Sequence, residues 1–184
     1  VSLLQLYMPI SQVISIDCTT DASCVYMVSQ RQTSNTGQPQ SPPAPLLSVW
    51  EVSSGKPLVS QRASPSLVVV APNGRTYLAS GKVLETATGR RVCDISPHAS
   101  SVAVAAFRPD GARLAVVGDD GVISIRDTCT WEVVRAFHLP RTEKLAYSPD
   151  GSKLAAGMTG GTVRILDPDT GRELARVRTA GNRT

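Results

Sequence analysis

No apolar stretch in this chain approaches the roughly 20 residues that a membrane-crossing helix needs; the longest is the run from Val102 to Phe107. A transmembrane helix and a membrane partner are therefore not expected. Because the chain begins at Val1, the lack of a targeting segment carries no weight. Histidine is scarce, with two residues, and the four cysteines (Cys18, Cys24, Cys93 and Cys129) form no CxxC pair, so neither a zinc site nor any other cofactor is expected. Cys18 and Cys24 flank one expected hairpin turn; small buried thiols in a reducing compartment are the expectation, not a disulfide. Charge of one sign is also lacking: 19 basic against 15 acidic residues leave +4. Nucleic acid is an unlikely partner on that balance, and the arginines at 164, 172, 176, 178 and 183 read as a solvated edge. The chain has no Gly-x-Ser-x-Gly elbow, no phosphate-cradling Gly-rich loop with Lys, and no HExxH. Ser100, His98 and Asp120 make a catalytic triad only on paper, and Asp119 and Asp120 are turn residues first. The chain is not expected to be an enzyme.

What the sequence does contain is a repeat. Pro72-Asn73-Gly74 returns as Pro109-Asp110-Gly111 and as Pro149-Asp150-Gly151, with the glycines 37 and 40 residues apart. Each triplet closes one short apolar run and opens the next. A period near 40 built only of short strands is the signature of propeller blades. In the third repeat, strands are expected at 101–107, 113–117, 122–127 and 133–137, with Asp119-Asp120-Gly121 as a second tight turn. The fourth places them at 144–147, 153–156, 162–167 and 173–177. The second places them at 67–70, 77–79, 82–85 and 91–94, with its central hairpin shortened around Ser80-Gly81.

The first repeat offers strands at 12–18, 24–28 and 46–51, interrupted by an insert at 29–45 that is rich in Gln and Pro. Its apolar content is too low for the insert to order itself, and a solvated insert is expected over a polyproline ligand. Ser2 to Tyr7 is one strand too many and fits the outermost strand of a preceding blade. The expected fold is therefore all-β, a β-propeller segment of about four four-stranded antiparallel blades plus one extra N-terminal outer strand, part of a larger propeller. The expected division is 1–8 for that outer strand, 9–61, 62–96, 97–137 and 138–179 for the blades, and 180–184 for a tail. Gly74, Asp110, Gly111, Asp150 and Gly151 are structural turn residues in this scheme.

Several of these residues are similar to the WD-repeat family, whose units begin with Gly-His, turn on Ser-Pro-Asp-Gly and end the third strand with Trp-Asp. Ser148-Pro149-Asp150-Gly151 reproduces the turn, and Arg108-Pro109-Asp110-Gly111 nearly does. His98 and His138 each fall nine residues before the aromatic that ends the first strand, Phe107 and Tyr147. The Trp-Asp slot reads Trp50-Glu51, Leu84-Glu85, Arg126-Asp127 and Leu166-Asp167. The resemblance covers nearly the whole chain with degenerate blades, since Val116 and Arg126 stand where the family's Ser and Trp would join His98 and Asp120.

That resemblance implies a non-catalytic scaffold presenting loops to a protein partner, because stiff strands hold loops whose own sequence is free. Within those loops His98, Ser100, Asp120, Arg141 and Met158 are the expected contacts. A second reading is a structural segment of a large cytoskeletal, centrosomal or ciliary multi-propeller protein, with neighbouring blades outside this chain. A third is a regulatory propeller attached to a signalling enzyme. The expected address is the cytoplasm, with cytoskeleton, centrosome and cilium under the second reading.

Overall fold

The computed structural model describes residues 12–19, 24–30, 46–62, 67–79, 81–95 and 102–178. Those residues are all-β, in four antiparallel sheets of four strands, and each sheet is a meander in chain order. The first sheet holds β1 (Gln12–Cys18), β2 (Cys24–Gln30), β3 (Leu46–Glu51) and β4 (Pro57–Arg62). The second holds β5 (Val68–Val70), β6 (Thr76–Ala79), β7 (Lys82–Glu85) and β8 (Arg91–Asp94). The third holds β9 (Val102–Phe107), β10 (Arg113–Gly118), β11 (Val122–Asp127) and β12 (Val133–His138). The fourth holds β13 (Thr142–Tyr147), β14 (Leu154–Met158), β15 (Thr162–Leu166) and β16 (Glu173–Arg178). β9 lies beside both β5 and β13, so the first strands of the second, third and fourth sheets are neighbours, as in propeller blades fanned about an axis.

Several strand limits depart from the sequence reading. β4 had no expected counterpart; it starts on Pro57 and pairs as far as Leu46 with Arg62. β2 extends through Ser29 and Gln30, which pair with Leu46 and Gln12, so those two residues belong to the strand and not to the insert. His138 pairs with Val122 and ends β12 in place of opening the next blade. Backbone pairing, not hydrophobic pattern, fixes these ends, and an outer strand that faces water has no apolar period to display. Residues 31–45, the expected strand at 2–7 and the tail at 180–184 lie outside the described residues.

Side-chain alternation explains how the sheets stack. On β10, Leu114 and Val116 face the second sheet and pack with Leu78, Val83 and Ile95. Between them, Ala115 and Val117 face the fourth sheet and meet Leu154, Ala156 and Leu166, together with Ile123 and Ile125 of β11. Successive side chains point to opposite faces, and here both faces are covered. Leu114 through Val117 are consequently all buried. Burying a Leu, Ile or Val side chain contributes about 1.5 to 3 kcal/mol, so these layers dominate the stability. A smaller cluster, Leu47 with Tyr77 and Ala79, joins the first sheet to the second. The outer strand β16 is exposed throughout, and β12 nearly so.

The recurrent turns hold the sheets together at one end. Asn73, Asp110 and Asp150 each accept, through Oδ1, a hydrogen bond from the backbone amide two residues on: Arg75 at 3.0 Å, Ala112 at 2.9 Å and Ser152 at 3.1 Å. The following glycine adopts a left-handed backbone, φ +71° at Gly151. That glycine also packs against the preceding sheet. A Cβ at Gly151 would fall 2.8 and 2.9 Å from Cγ and Cδ of Arg108, and one at Gly74 would strike the Tyr26 hydroxyl. The triplet thus serves as both hairpin and inter-sheet contact.

One buried group breaks the apolar layering. Arg126 is 8% exposed, its Nη1 donates to the Trp131 carbonyl at 2.8 Å, and its buried Nε has no partner. No carboxylate among the described residues pairs with it, and burial lowers its pKa from the ordinary arginine value. In the fourth sheet the same register position, opposite Leu154, holds Leu166.

Three measurements test this account. Gly151→Ala is expected to cost about 1 to 3 kcal/mol by urea denaturation, combining backbone strain with the Arg108 clash. Gly160→Ala, at φ +84° with nothing within 4 Å, carries the strain alone and is expected to cost less. Arg126→Leu is expected to stabilise the chain by about 1 to 3 kcal/mol, because an incompletely satisfied buried charge gives way to packed apolar volume. A fall in the melting midpoint would mean that the Trp131 bond outweighs desolvation. The Asp150 carboxyl is held down at about 2, first by the Ser148 hydroxyl, then by the hydroxyl and amide of Ser152. Its folded value lies below the unfolded value of about 3.9, so its stabilisation is complete at higher pH and is lost as pH falls toward 2. Between pH 4 and 2 the denaturation midpoint of Asp150→Ala is expected to fall less steeply than that of the wild type.

Candidate interaction surface

The two ends of the sheets differ in how their polar groups are employed. At the end carrying the recurrent turns, polar groups are largely consumed internally. Arg108 pairs with Asp110 at 2.7 Å and Arg113 with Asp127. The Asp110 carboxyl is lowered chiefly by its bond from Arg108, and that of Asp127 by the amides of Cys129 and Thr130. Asp167 repeats the second pattern with Thr170 and Asp169. Burial pushes the Tyr147 phenol up to about 12 beside Arg108. Such an end is a brace.

The opposite end is built from the β10–β11 turn at 118–121, the β12–β13 connection at 139–141 and the β14–β15 turn at 159–161. Backbone bonds link the three. The Leu139 amide donates to the Gly121 carbonyl at 2.8 Å and the Thr159 amide to the Arg141 carbonyl at 3.0 Å. The buried Thr142 hydroxyl donates to the Leu139 carbonyl at 2.8 Å. Pro140 sits so close over Gly121 that a Cβ there would lie 2.8 Å from the proline Cα. These contacts hold Arg141 at φ +65°, a left-handed conformation uncommon for any residue but glycine. Its side chain is exposed and has no ion pair among the described residues.

The expected contact residues fall in different places. Arg141 and Asp120 lie together at this end, both exposed; the Asp120 Oδ1 accepts from the Val122 amide at 3.0 Å. Met158 ends β14 and is half-buried against the cluster between the third and fourth sheets, so its side chain serves the core more than the surface. His98 and Ser100 lie outside the described residues. Gly74, Asp110, Gly111, Asp150 and Gly151 are at the braced end, in the turns described above. Val116 and Arg126 are both buried and face the second sheet. Two features escaped sequence reasoning: the support that Pro140 and Thr142 give to Arg141, and the commitment of Arg164 and Arg176 to Glu173 at 3.3 and 2.8 Å. A Pro-Arg-Thr run after an apolar residue was the one available signal for the first. Cys18 and Cys129 are exposed, against the expectation of buried thiols; each lies at a turn and not on an inward face. Among the described residues, no helix is long and apolar enough to cross a membrane.

Comparison with known proteins adds a family. Residues 89–127 match the model of the WD domain, G-beta repeat. The matched stretch runs through β8, β9, β10 and β11, so it takes its first strand from one sheet and the next three from the following sheet. The chain is also similar to WD repeat-containing protein VIP3 of Arabidopsis thaliana, at 25% identity over 128 residues, covering 61% of this chain and 39% of that protein. It thus spans about two fifths of the length of the curated relative it matches. Four consecutive four-stranded meanders, recurrent Pro-Asx-Gly turns, a matched repeat and a WD-repeat relative together make the chain similar to WD-repeat proteins.

Proposed function

We propose that the chain is a non-catalytic scaffold that docks a protein partner on the loop end centred on Arg141. WD repeats in general serve protein interaction, and the match at 89–127 carries that general role. The observation that supports this end is Arg141 itself. A non-glycine residue at φ +65° costs on the order of 1 to 3 kcal/mol and persists only where the surroundings enforce it. Here the enforcement delivers an exposed, unpaired guanidinium on a rigid base, and Arg is over-represented where interfaces place their binding energy. The neighbouring carboxylates of Asp119 and Asp120 give the same surface a second polarity.

A second reading, a structural segment within a longer array of blades, is favoured by the outward face of the fourth sheet. Ala155, Val163 and Ile165 occupy the register positions of Ala115, Ile123 and Ile125, which the fourth sheet buries on its neighbour. On the fourth sheet they are half-buried, and Val177 beside them is 56% exposed. A further blade fits that face. A cytoskeletal, centrosomal or ciliary setting belongs to this second reading, and a cytoplasmic address to both.

Arg141→Glu is expected to weaken binding of proteins retained by the wild-type chain about tenfold or more, the scale of a lost charge-assisted contact. Its thermal midpoint is expected to stay within about 2 °C of wild type, as for a surface substitution. Arg141→Gly relieves the left-handed strain and is expected to melt no lower while also losing binding. Pull-down with quantified recovery, paired with thermal denaturation, checks both; undiminished recovery by both variants would sink the assignment.

A further inference from the structure

At the braced end, the first and second sheets do not close on each other. A cavity of about 450 Å³ lies between them, in the size range of ligand pockets. Val49 and the Tyr26 ring form its wall on one side, and the turns holding Arg75 and Thr86 close it on the other. The residue that follows the first strand of each sheet donates its amide across the hairpin, and it is Thr19, Ala71, Arg108 and Ser148 in turn. Between the third and fourth sheets the long Arg108 stem packs against Gly151. Between the first and second, Thr19 and the Tyr26 hydroxyl stand against Gly74, and both residues line the cavity.

Two polar groups of this cavity are uncommitted. Thr86 is 6% exposed, and its buried Oγ1 has no partner. Its counterpart Thr128, whose amide bonds the third sheet's turn as Thr86's does the second's, donates its hydroxyl to the Gly111 carbonyl at 2.6 Å. A buried hydroxyl left without a partner is unfavourable, and a bound acceptor relieves it. Arg75 lies at the mouth, exposed, with no ion pair among the described residues. The other charged lining residue, Glu85, is already engaged by the Thr88 hydroxyl at 2.5 Å and by Arg90 at 3.8 Å. An apolar interior with one available cation at the rim and one orphan hydroxyl in the wall selects an apolar side chain next to a carboxylate.

We propose that this wedge is a second docking site, separate from the Arg141 surface and independent of it, for a short acidic peptide segment of a protein partner. The segment inserts one aliphatic side chain against Val49 and sets the adjacent carboxylate on Arg75, with Thr86 as a further donor.

The probe is a terminally blocked tetrapeptide carrying leucine next to glutamate, titrated into the isotope-labelled chain and followed by amide chemical shifts. Saturable shifts at Gly74, Arg75, Thr86 and Ala87 are expected. Affinity is expected to fall about tenfold or more for the glutamine peptide, for Arg75→Gln, and for Ala87→Phe, which fills the mouth from an exposed turn. Both variants change exposed residues, and retention of the wild-type amide spectrum elsewhere verifies their fold. Equal affinity for the glutamine peptide, or unaltered binding by Arg75→Gln, overturns the proposal. Acetate alone producing the same shifts at comparable affinity overturns the peptide as occupant. Shifts confined to residues around Arg141 and Thr159, or none that saturate, overturn this site while leaving the loop-end surface to its own test.

Discussion

The structure depends on the inner sheets being covered on both faces by their neighbours. A lone four-stranded sheet hides one face at most; here the third sheet lies between the second and the fourth, and Leu114 to Val117 are buried without interruption. The consequence reaches back to the amino-acid pattern. A strand with one wet face alternates apolar and polar, whereas one covered on both sides reads as a continuous apolar run. The two central strands of the third sheet show how the rule admits exceptions: β10 is apolar through its middle, while β11 alternates isoleucines with Ser124 and Arg126. Ser124 and Arg126 of β11 point toward the second sheet, where Arg126 finds its carbonyl partner on Trp131.

That constraint also decides what was legible in the sequence. The Pro-Asx-Gly turns were readable because their chemistry is local: an Asx oxygen to bond an amide two residues on, and a glycine to turn left-handed. The inner strands were readable because burial writes itself into residue type. β4 was not, since a six-residue run with only Leu58 and Val59 adjacent and no alternation carries no period, and the strand is fixed by pairing with β3. The reach of β2 through Ser29 and Gln30 failed to show because both are polar; they are held in this inner strand by pairing with Leu46 and Gln12, and Ser29 is buried there. Arg141 could be singled out as an interface residue type, but its left-handed backbone follows from bonds among main-chain groups on three separate turns. Met158 looked like a loop residue and is a half-buried strand residue packed against the core, because the strand β14 runs two residues past the expected end. The wedge beside Thr19 lay beyond any pattern, being lined by residues of two sheets that are far apart in sequence.

The ends of the sheets divide stability from recognition. At the braced end, each recurrent turn closes its own hairpin and seats a glycine on the preceding sheet, so substitutions there act on the fold first. At the loop end, the backbone is fixed by hydrogen bonds while side chains such as Arg141 and Asp120 project to solvent. The wedge between the first and second sheets cuts across this division. It is placed at the braced end, a region otherwise given to stability, and is lined there by Thr19, Tyr26, Val49 and Thr86.

The phase of the matched repeat carries the argument one step further. Residues 89–127 begin just before β8, the outer strand of the second sheet, and end on β11 of the third. A unit cut at those borders would hold an outer strand without its sheet and a sheet without its outer strand. The sequence repeat and the sheet are therefore not the same object, and covalent connectivity straddles each boundary between blades. Each sheet is completed by its own contiguous stretch of chain, so what joins one sheet to the next, beyond a single covalent crossing, is the stacking of apolar faces. Dependence on neighbours for that burial makes a single blade a poor folding unit and a run of blades a stiff one, which is the mechanical property that a loop-bearing scaffold requires.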